Sequence, residues 1–260
     1  MAELPWITSR KNAEIRAAVE IASSAKERRK TGLFFLEGAR LCEDAAKSGI
    51  KIEKLFLTEE ACQKYGSYIE PVVALAKVTY KIQDHVAEML AKTKSSQGVF
   101  CLCQIPTERQ GRLAGKWVAL ENVQDPANLG TVMRTAEALG FDGLVHISGC
   151  DLFSPKAVRA SMGAVFRMQI LTCAEVSEIN QFEGIENMLC LAAVPDETAE
   201  QLGSVSYPND TMIFIGNEGN GLTAEAIRFC KRKITIPMKG RAESLNAAAA
   251  AAICLWEISK

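Results

Sequence analysis

Beyond residue 115 three short segments gather glycines and amide side chains where apolar runs end: Asn122-Val123-Gln124-Asp125-Pro126-Ala127-Asn128-Leu129-Gly130, Gly216-Asn217-Glu218-Gly219-Asn220-Gly221-Leu222 and Ile236-Pro237-Met238-Lys239-Gly240-Arg241-Ala242-Glu243-Ser244-Leu245-Asn246. Glycine lets a backbone approach a ligand closely, and amides supply donors and acceptors without charge. In an open parallel sheet ligands bind outside the carboxyl ends of the strands, so three such loops predict one composite pocket. A fourth group belongs with them. On the helix that follows Gly130, Val132, Ala136 and Leu139 share a face, and Arg134 lies about opposite, on the side of Gly130. A guanidinium above a bare helix start suits a phosphate or a developing oxyanion. The competing reading of Arg134 is a solvated arginine pairing with Glu137 at i+3.

The middle segment follows an apolar run and precedes a helix, as phosphate loops do. It is neither the dinucleotide fingerprint nor the P-loop: its glycines read G-x-x-G-x-G, with no lysine in place. Glu218 would repel a triphosphate and suits a ligand with a cationic or hydroxyl-bearing part. Thr223 reads as an N-cap with a staple from Leu222 to Ile227. In the third segment Pro237 ends strand pairing, Gly240 turns, and Ser244 is predicted to cap an alanine-rich helix with Asn246 in its first turn.

These elements need a scaffold, and the composition provides one. The 260 residues are 48% hydrophobic, enough for two domains with real cores. Thirty basic residues against 31 acidic ones give no overall bias toward a polyanion. The halves differ, however: residues 1–110 hold 17 Lys/Arg and 14 Asp/Glu (net +3), the rest 13 and 17 (net −4), which makes the N-terminal part the better nucleic-acid contact. Nine cysteines scattered through apolar stretches, with no secretory leader before Pro5-Trp6, read as a reducing, cytoplasmic setting. The two histidines, His85 and His146, lack Cys or His partners at i+3 or i+4, so no metal site is expected. The apolar run Ala247 to Trp256 is about half of what spans a bilayer, so a soluble protein is expected.

Periodicity predicts a helix over residues 10 to 31 with the cluster Lys26-Glu27-Arg28-Arg29-Lys30 in its last turn and Gly32 as its stop. Apolar runs at 33–36, 52–57, 78–82 and 99–104 then alternate with helices at 39–47, 58–64 and 84–91, the pattern of a small α/β domain ending near residue 105. Residues 106–115 are polar, carry Pro106, Gly111 and Gly115, and read as a linker. A second α/β domain, 116–260, is predicted with strands at 117–120, 144–147, 188–192, 212–215 and 234–236. Helices are expected at about 130–139, 155–162, 174–182 and 223–231, with a last one from Glu243 or Ser244 onward.

Taken in order and spacing, N-x-x-D-P-x-N-x-G-x-x-x-R-x-A-x-x-x-G, G-N-E-G-x-G-L and I-P-M-x-G-x-x-E-S-L-N resemble the SpoU/TrmH family of RNA ribose 2′-O-methyltransferases in the SPOUT superfamily. The match extends over about residues 116–258. The N-terminal part, with Phe35-x-Glu37-Gly38 and Gln97-Gly98, is similar to that family's small RNA substrate-binding domain, 1–105. The resemblance implies a trefoil-knotted catalytic domain, S-adenosylmethionine as methyl donor and a homodimer with active sites at the subunit interface. It implies that backbone at Gly216, Ile236 and Leu245 holds the adenosine end of the cofactor, with Glu218, Gly219, Met238, Ser244 and Asn246 lining the same bend. Arg134 and Asn122 would face the attacking ribose hydroxyl, and Ser161 falls where the family often places a polar contact. One departure stands out: after Ser-Leu-Asn the family usually continues with valine and a serine or alanine, whereas residues 247–252 are all alanine.

The expected substrate is 23S ribosomal RNA, with transfer RNA, or an inactive RNA-binding member of the fold, as alternatives. A nucleotide-dependent dehydrogenase or kinase lacks its phosphate loop here. Lys26, Arg28, Arg29 and Lys30 are the candidate RNA contact, with Arg10, Lys11 and Arg16 near them in sequence; a solvated helix end would carry the same charges.

Overall fold

A computed structural model describes residues 4–106, 112–204, 206–241 and 244–260. The middle of the expected linker, and Glu243 as a possible start of the last helix, lie outside the described residues. The chain forms two compact units, Met1–Thr107 with Phe153–Phe166, and Glu108–Leu152 with Arg167–Lys260.

The first unit carries β1 (Trp6–Ile7), α1 (Ala13–Ser23), α2 (Ala25–Thr31), β2 (Leu33–Glu37), α3 (Ala39–Lys47), β3 (Ile52–Leu57), α4 (Glu59–Lys64), α5 (Gly66–Leu75), β4 (Val78–Ile82), α6 (Asp84–Leu90) and β5 (Val99–Gln104). Its mixed sheet runs in the order β1-β4-β3-β5-β2, with β5 antiparallel to both neighbours. On one face Phe35, Phe56, Phe100 and Leu102 pack with Ile15, Ala18 and Ala22 of α1. The single helix expected over 10–31 is two helices. Ser24, in extended conformation, ends α1, and its side chain accepts from Glu27 N–H to cap α2. A serine that bonds its own backbone offers the chain an alternative to helix at that point. Residues 153–166, expected in the catalytic domain, belong here: Phe153 and Phe166 lie 5.0 and 6.0 Å from the Phe34 ring.

The second unit holds β6 (Lys116–Glu121), α7 (Pro126–Ala138), β7 (Gly143–Ile147), β8 (Gln169–Cys173), β9 (Leu189–Ala193), β10 (Glu200–Gln201), β11 (Thr211–Ile215), α10 (Ala224–Phe229), β12 (Arg232–Thr235) and α11 (Ala247–Ser259); between β7 and β8 come α8 (Pro155–Ser161) of the first unit and α9 (Ala164–Arg167), and a 3-10 turn, Val176–Gln181, follows β8. Its strands are all parallel in the order β10-β12-β9-β11-β6-β7-β8. Each paired strand therefore ends at the same edge, and the loops after β6, β11 and β12 carry the three polar segments. The expected linker ends early: Leu113 is buried with Trp117, Val145 and Phe214, and Gly115 N–H donates to Asp210 Oδ1 at 2.7 Å. No helix among the described residues is long and apolar enough to cross a membrane.

Candidate active site

Asp125 caps α7 by accepting from Ala127 N–H at 2.9 Å, and Pro126 opens the helix, so the first polar segment is a strand end followed by an N-cap. Asn122 sits at the turn with φ 53°, a left-handed conformation that asparagine tolerates better than most residues. Its carbonyl accepts from Asn217 Nδ2 at 2.9 Å and its Oδ1 from Gln124 Nε2 at 2.5 Å. Gly149, in the loop after β7, lies against this turn so closely that a Cβ there would meet Val123 O at 2.5 Å.

The second segment folds back on itself. Asn217 and Gly221 exchange both backbone hydrogen bonds, and Asn217 Oδ1 accepts from Gly219 and Asn220 N–H. A Cβ at Gly216 would fall 2.2 Å from Gly221 C and 2.3 Å from Leu222 N, so only glycine permits this fold. Glu218 points back to the first segment. Oε1 accepts from Asp125 N–H and Asn128 Nδ2, and Oε2 from Gln124 N–H, each at 3.0 Å. Burial opposes its charge, but the bonds from Gln124, Asn128 and Asp125 outweigh it and hold the carboxyl below the usual carboxylate range.

Asn128 extends the chain of bonds to the third segment, since its Oδ1 accepts from Asn246 Nδ2 at 3.2 Å. Asn246, rather than Ser244, caps α11: its Oδ1 accepts from Ala248 and Ala249 N–H. The helix starts there because the next six residues are alanines, which have the highest helix propensity and no competing side chain. All three segments are thus joined through Glu218, Asn128 and Asn246. Glu121, buried at the end of β6, adds a tie that no motif announces, accepting from Thr223 N–H at 2.8 Å and from its hydroxyl at 2.6 Å.

Between the second and third segments lies a cavity of about 460 Å³. Gly216, Glu218, Gly219, Ile236, Met238, Ser244 and Leu245 line it, together with Ala193–Asp196 after β9. Its walls are largely backbone and aliphatic side chain, with the ion pair Lys233 to Asp196, 3.0 Å, at the lining. Asn246 lies outside this lining and acts on α11 instead. Arg134 is exposed on α7 and among the described residues has no hydrogen bond or ion pair; Glu137 pairs bidentately with Arg167, so the expected i+3 partner is taken.

Two further expected site residues are placed differently. Ser161 belongs to the first unit, fully buried, with its hydroxyl donating to Val158 O at 2.7 Å. Arg28 is only 4% exposed, and its Nη1 donates to Ile21 O and Ala22 O, completing the carbonyl end of α1; it is not presented to RNA. Lys26, Arg29 and Lys30 remain exposed, with Lys30 3.4 Å from Glu27.

Loops at the carboxyl end of a parallel sheet, tied by one chain of hydrogen bonds, wall a cavity with glycine backbone, and the helix after the first loop carries Arg134, exposed and without a polar partner among the described residues. Residues 116–256 match the SpoU rRNA Methylase family and residues 12–101 the MRM3-like substrate binding domain. The chain belongs to the SpoU rRNA methylase family. It is 28% identical over 253 residues to the 23S rRNA (guanosine(2553)-2′-O)-methyltransferase RlmP of Bacillus subtilis, covering 97% of this chain and 98% of that protein. It is 25% identical over 262 residues to a 23S rRNA (uridine(2479)-2′-O)-methyltransferase of Streptomyces viridochromogenes, 96% of this chain and 90% of that one. The AdoMet-bound rRNA methyltransferase from Sinorhizobium meliloti superposes with a TM-score of 0.86 at 26% identity, over 98% and 97% of the two chains.

Proposed function

We propose that this protein transfers a methyl group from S-adenosylmethionine to a ribose 2′-hydroxyl of 23S ribosomal RNA, in the cytoplasm. The observation that carries the reading is the single hydrogen-bonded chain from Gln124 and Asp125 through Glu218 and Asn128 to Asn246, which fixes the cavity's loops against the helix that bears Arg134. The cavity suits the cofactor: a wall of backbone at Gly216 and Ile236 leaves amide and carbonyl groups for a purine, Leu245 and Met238 are apolar, and the Asp196–Lys233 pair complements an amino acid's opposite charges. When bound, the cofactor supplies an electrophilic methyl group on a sulfonium.

The protein's own part is positioning, worth on the order of 7–11 kcal/mol for well-aligned partners, and stabilisation of charge on the sugar oxygen. Glu218 contributes by tying loops, with Ser244 and Gly219 lining the bend beside it. Arg134 grips the phosphate next to the target ribose and steadies the developing alkoxide. A guanidinium with pKa above about 12 is a poor base, so the proton leaves by way of phosphate or water. Asn122 shapes the turn and offers its amide nitrogen to the sugar. Lys26, Arg29 and Lys30 of α2 contact RNA phosphates. Residues 1–105 bind RNA and 116–260 hold the catalytic site, with the trefoil knot of the family in the latter.

The working form is a homodimer. Ala249, Ile253 and Trp256 lie at i, i+4 and i+7 on α11, with Ile253 42% and Trp256 57% exposed, an apolar stripe that a second copy would cover. Calorimetry with S-adenosylmethionine, ATP and NAD tests the cofactor, and ribose-methylation mapping of total RNA from cells with and without the gene tests the reaction. Binding of ATP or NAD in place of S-adenosylmethionine, or identical maps, would overturn the proposal.

A further inference from the structure

The first unit contains a second cavity, about 320 Å³, walled by α4, α6 and the loop 93–98. Its loop is held at both ends. Glu37 accepts from Lys92 N–H at 2.8 Å and from the Thr93 hydroxyl at 2.6 Å, while Ser96 Oγ accepts from Gly98 N–H. Gly98, with φ 68°, packs so tightly that a Cβ would lie 2.2 Å from Thr58 Oγ1. Gln97 is fixed by accepting Ala39 N–H on Oε1 at 2.8 Å, which leaves its Nε2 donor without a partner among the described residues.

The other lining groups sort by chemistry. Tyr65 is half-buried with the Lys64 ammonium 5.6 Å from its ring centroid. Lys94, Glu60 and Asp84 are exposed and without polar partners among the described residues, whereas Glu88 is already neutralised by Arg10 at 2.7 Å. An inorganic anion would meet Glu60 and Asp84 as well as the lysines, so the mixture disfavours a bare phosphate inside. An aromatic ring, a fixed amide donor, carboxylate acceptors and an ammonium match what recognises an unstacked nucleotide: a face to stack on, a base edge to read and a flanking phosphate.

We propose that this cavity takes one unpaired nucleotide of the RNA substrate, its base against Tyr65, its edge read by Gln97 Nε2 and a carboxylate, and its phosphate on Lys94. The inference rests on RNA being the substrate. Its volume falls at the lower end of single-ligand pockets, as one nucleotide requires.

Gln97→Glu keeps an acceptor for Ala39 N–H and removes the donor, and its added charge is controlled by Ser95→Glu, an exposed position of the same loop outside the cavity lining, which should change RNA affinity less. The full chain is assayed with a 23S RNA transcript and labelled S-adenosylmethionine, alongside Lys94→Ala and Tyr65→Leu. Each cavity variant should raise Kd and KM for RNA about tenfold and leave kcat and cofactor Kd within twofold. Lys94→Ala should also flatten the salt dependence of RNA binding. RNA affinity unchanged within twofold in folded Gln97→Glu and Lys94→Ala proteins would overturn the inference while leaving methyl transfer intact. Absence of transfer by the unaltered protein would overturn the function instead, and the RNA Kd would still judge the cavity.

Discussion

Glu218→Ala separates a tie between loops from a direct cofactor ligand. The carboxylate accepts three hydrogen bonds of 3.0 Å, two from backbone N–H groups and one from Asn128. Bonds to a charged acceptor contribute about 1.5–3 kcal/mol each when shielded. Glu218 is exposed and solvent can replace part of them, so the expected total is about 1–2 kcal/mol. Each kcal/mol lost globally lowers Tm by about 2–4 °C in a chain of this size. Hydrogen exchange gives the direct readout: the amides of Gln124 and Asp125 should lose about tenfold protection, while strand amides of β6 and β11 stay unchanged. The folded carboxyl titrates below its unfolded value, so its contribution is present above about pH 4.3 and disappears as pH falls through the folded pKa. Wild-type protection at Gln124 should fall off in that acid range, and the alanine variant should show no such step. Calorimetry should find S-adenosylmethionine affinity reduced about tenfold through lost preorganisation. Unaltered exchange at both amides, with cofactor binding abolished, would refute the tie and make Glu218 a ligand.

Arg134→Ala should cut methyl transfer about 10²–10³-fold with cofactor Kd unchanged, read by single-turnover kinetics; Arg134→Lys with near-normal turnover would show that the planar fork is unnecessary. Gly216→Ala should abolish cofactor binding and lower the unfolding midpoint, because its Cβ has only 2.2 Å to Gly221 C. Asp196 is held at about 2 by Thr198 and Lys233, so its stabilisation is complete above about pH 4 and is lost as pH falls toward 2; Asp196→Asn should flatten the acid limb of the stability profile in that window. Trp256→Glu with Ile253→Glu should convert a dimer to monomer in light scattering and leave the circular dichroism of the chain unchanged.

Local chemistry predicted most elements, and failures fall where a distant partner decides. Strands β3 and β5 match their apolar runs because consecutive large side chains in each are buried, while β4 falls on its run but buries only Thr79 and Ile82, with Val78 exposed. Gln169–Cys173 was not expected as a strand: it is an edge strand, half-exposed, and its short polar-interrupted run carries little periodic signal. The basic cluster was read from charge alone, and charge does not reveal that Arg28 turns inward to carbonyls six and seven residues earlier. In the sequence Asn128 is one amide among several in the first polar segment. Its importance comes from Glu218, 90 residues on, and Asn246, 118 residues on. Those two bonds also explain why Asn246, and not the expected Ser244, caps α11. Serine and asparagine are comparable caps by propensity, and the side chain that can also reach Asn128 fixes where the helix begins. The helix start, the cavity wall and the loop that carries the glycines are consequently one structural unit, and a change at any of the three amide or carboxylate groups should be felt at the other two.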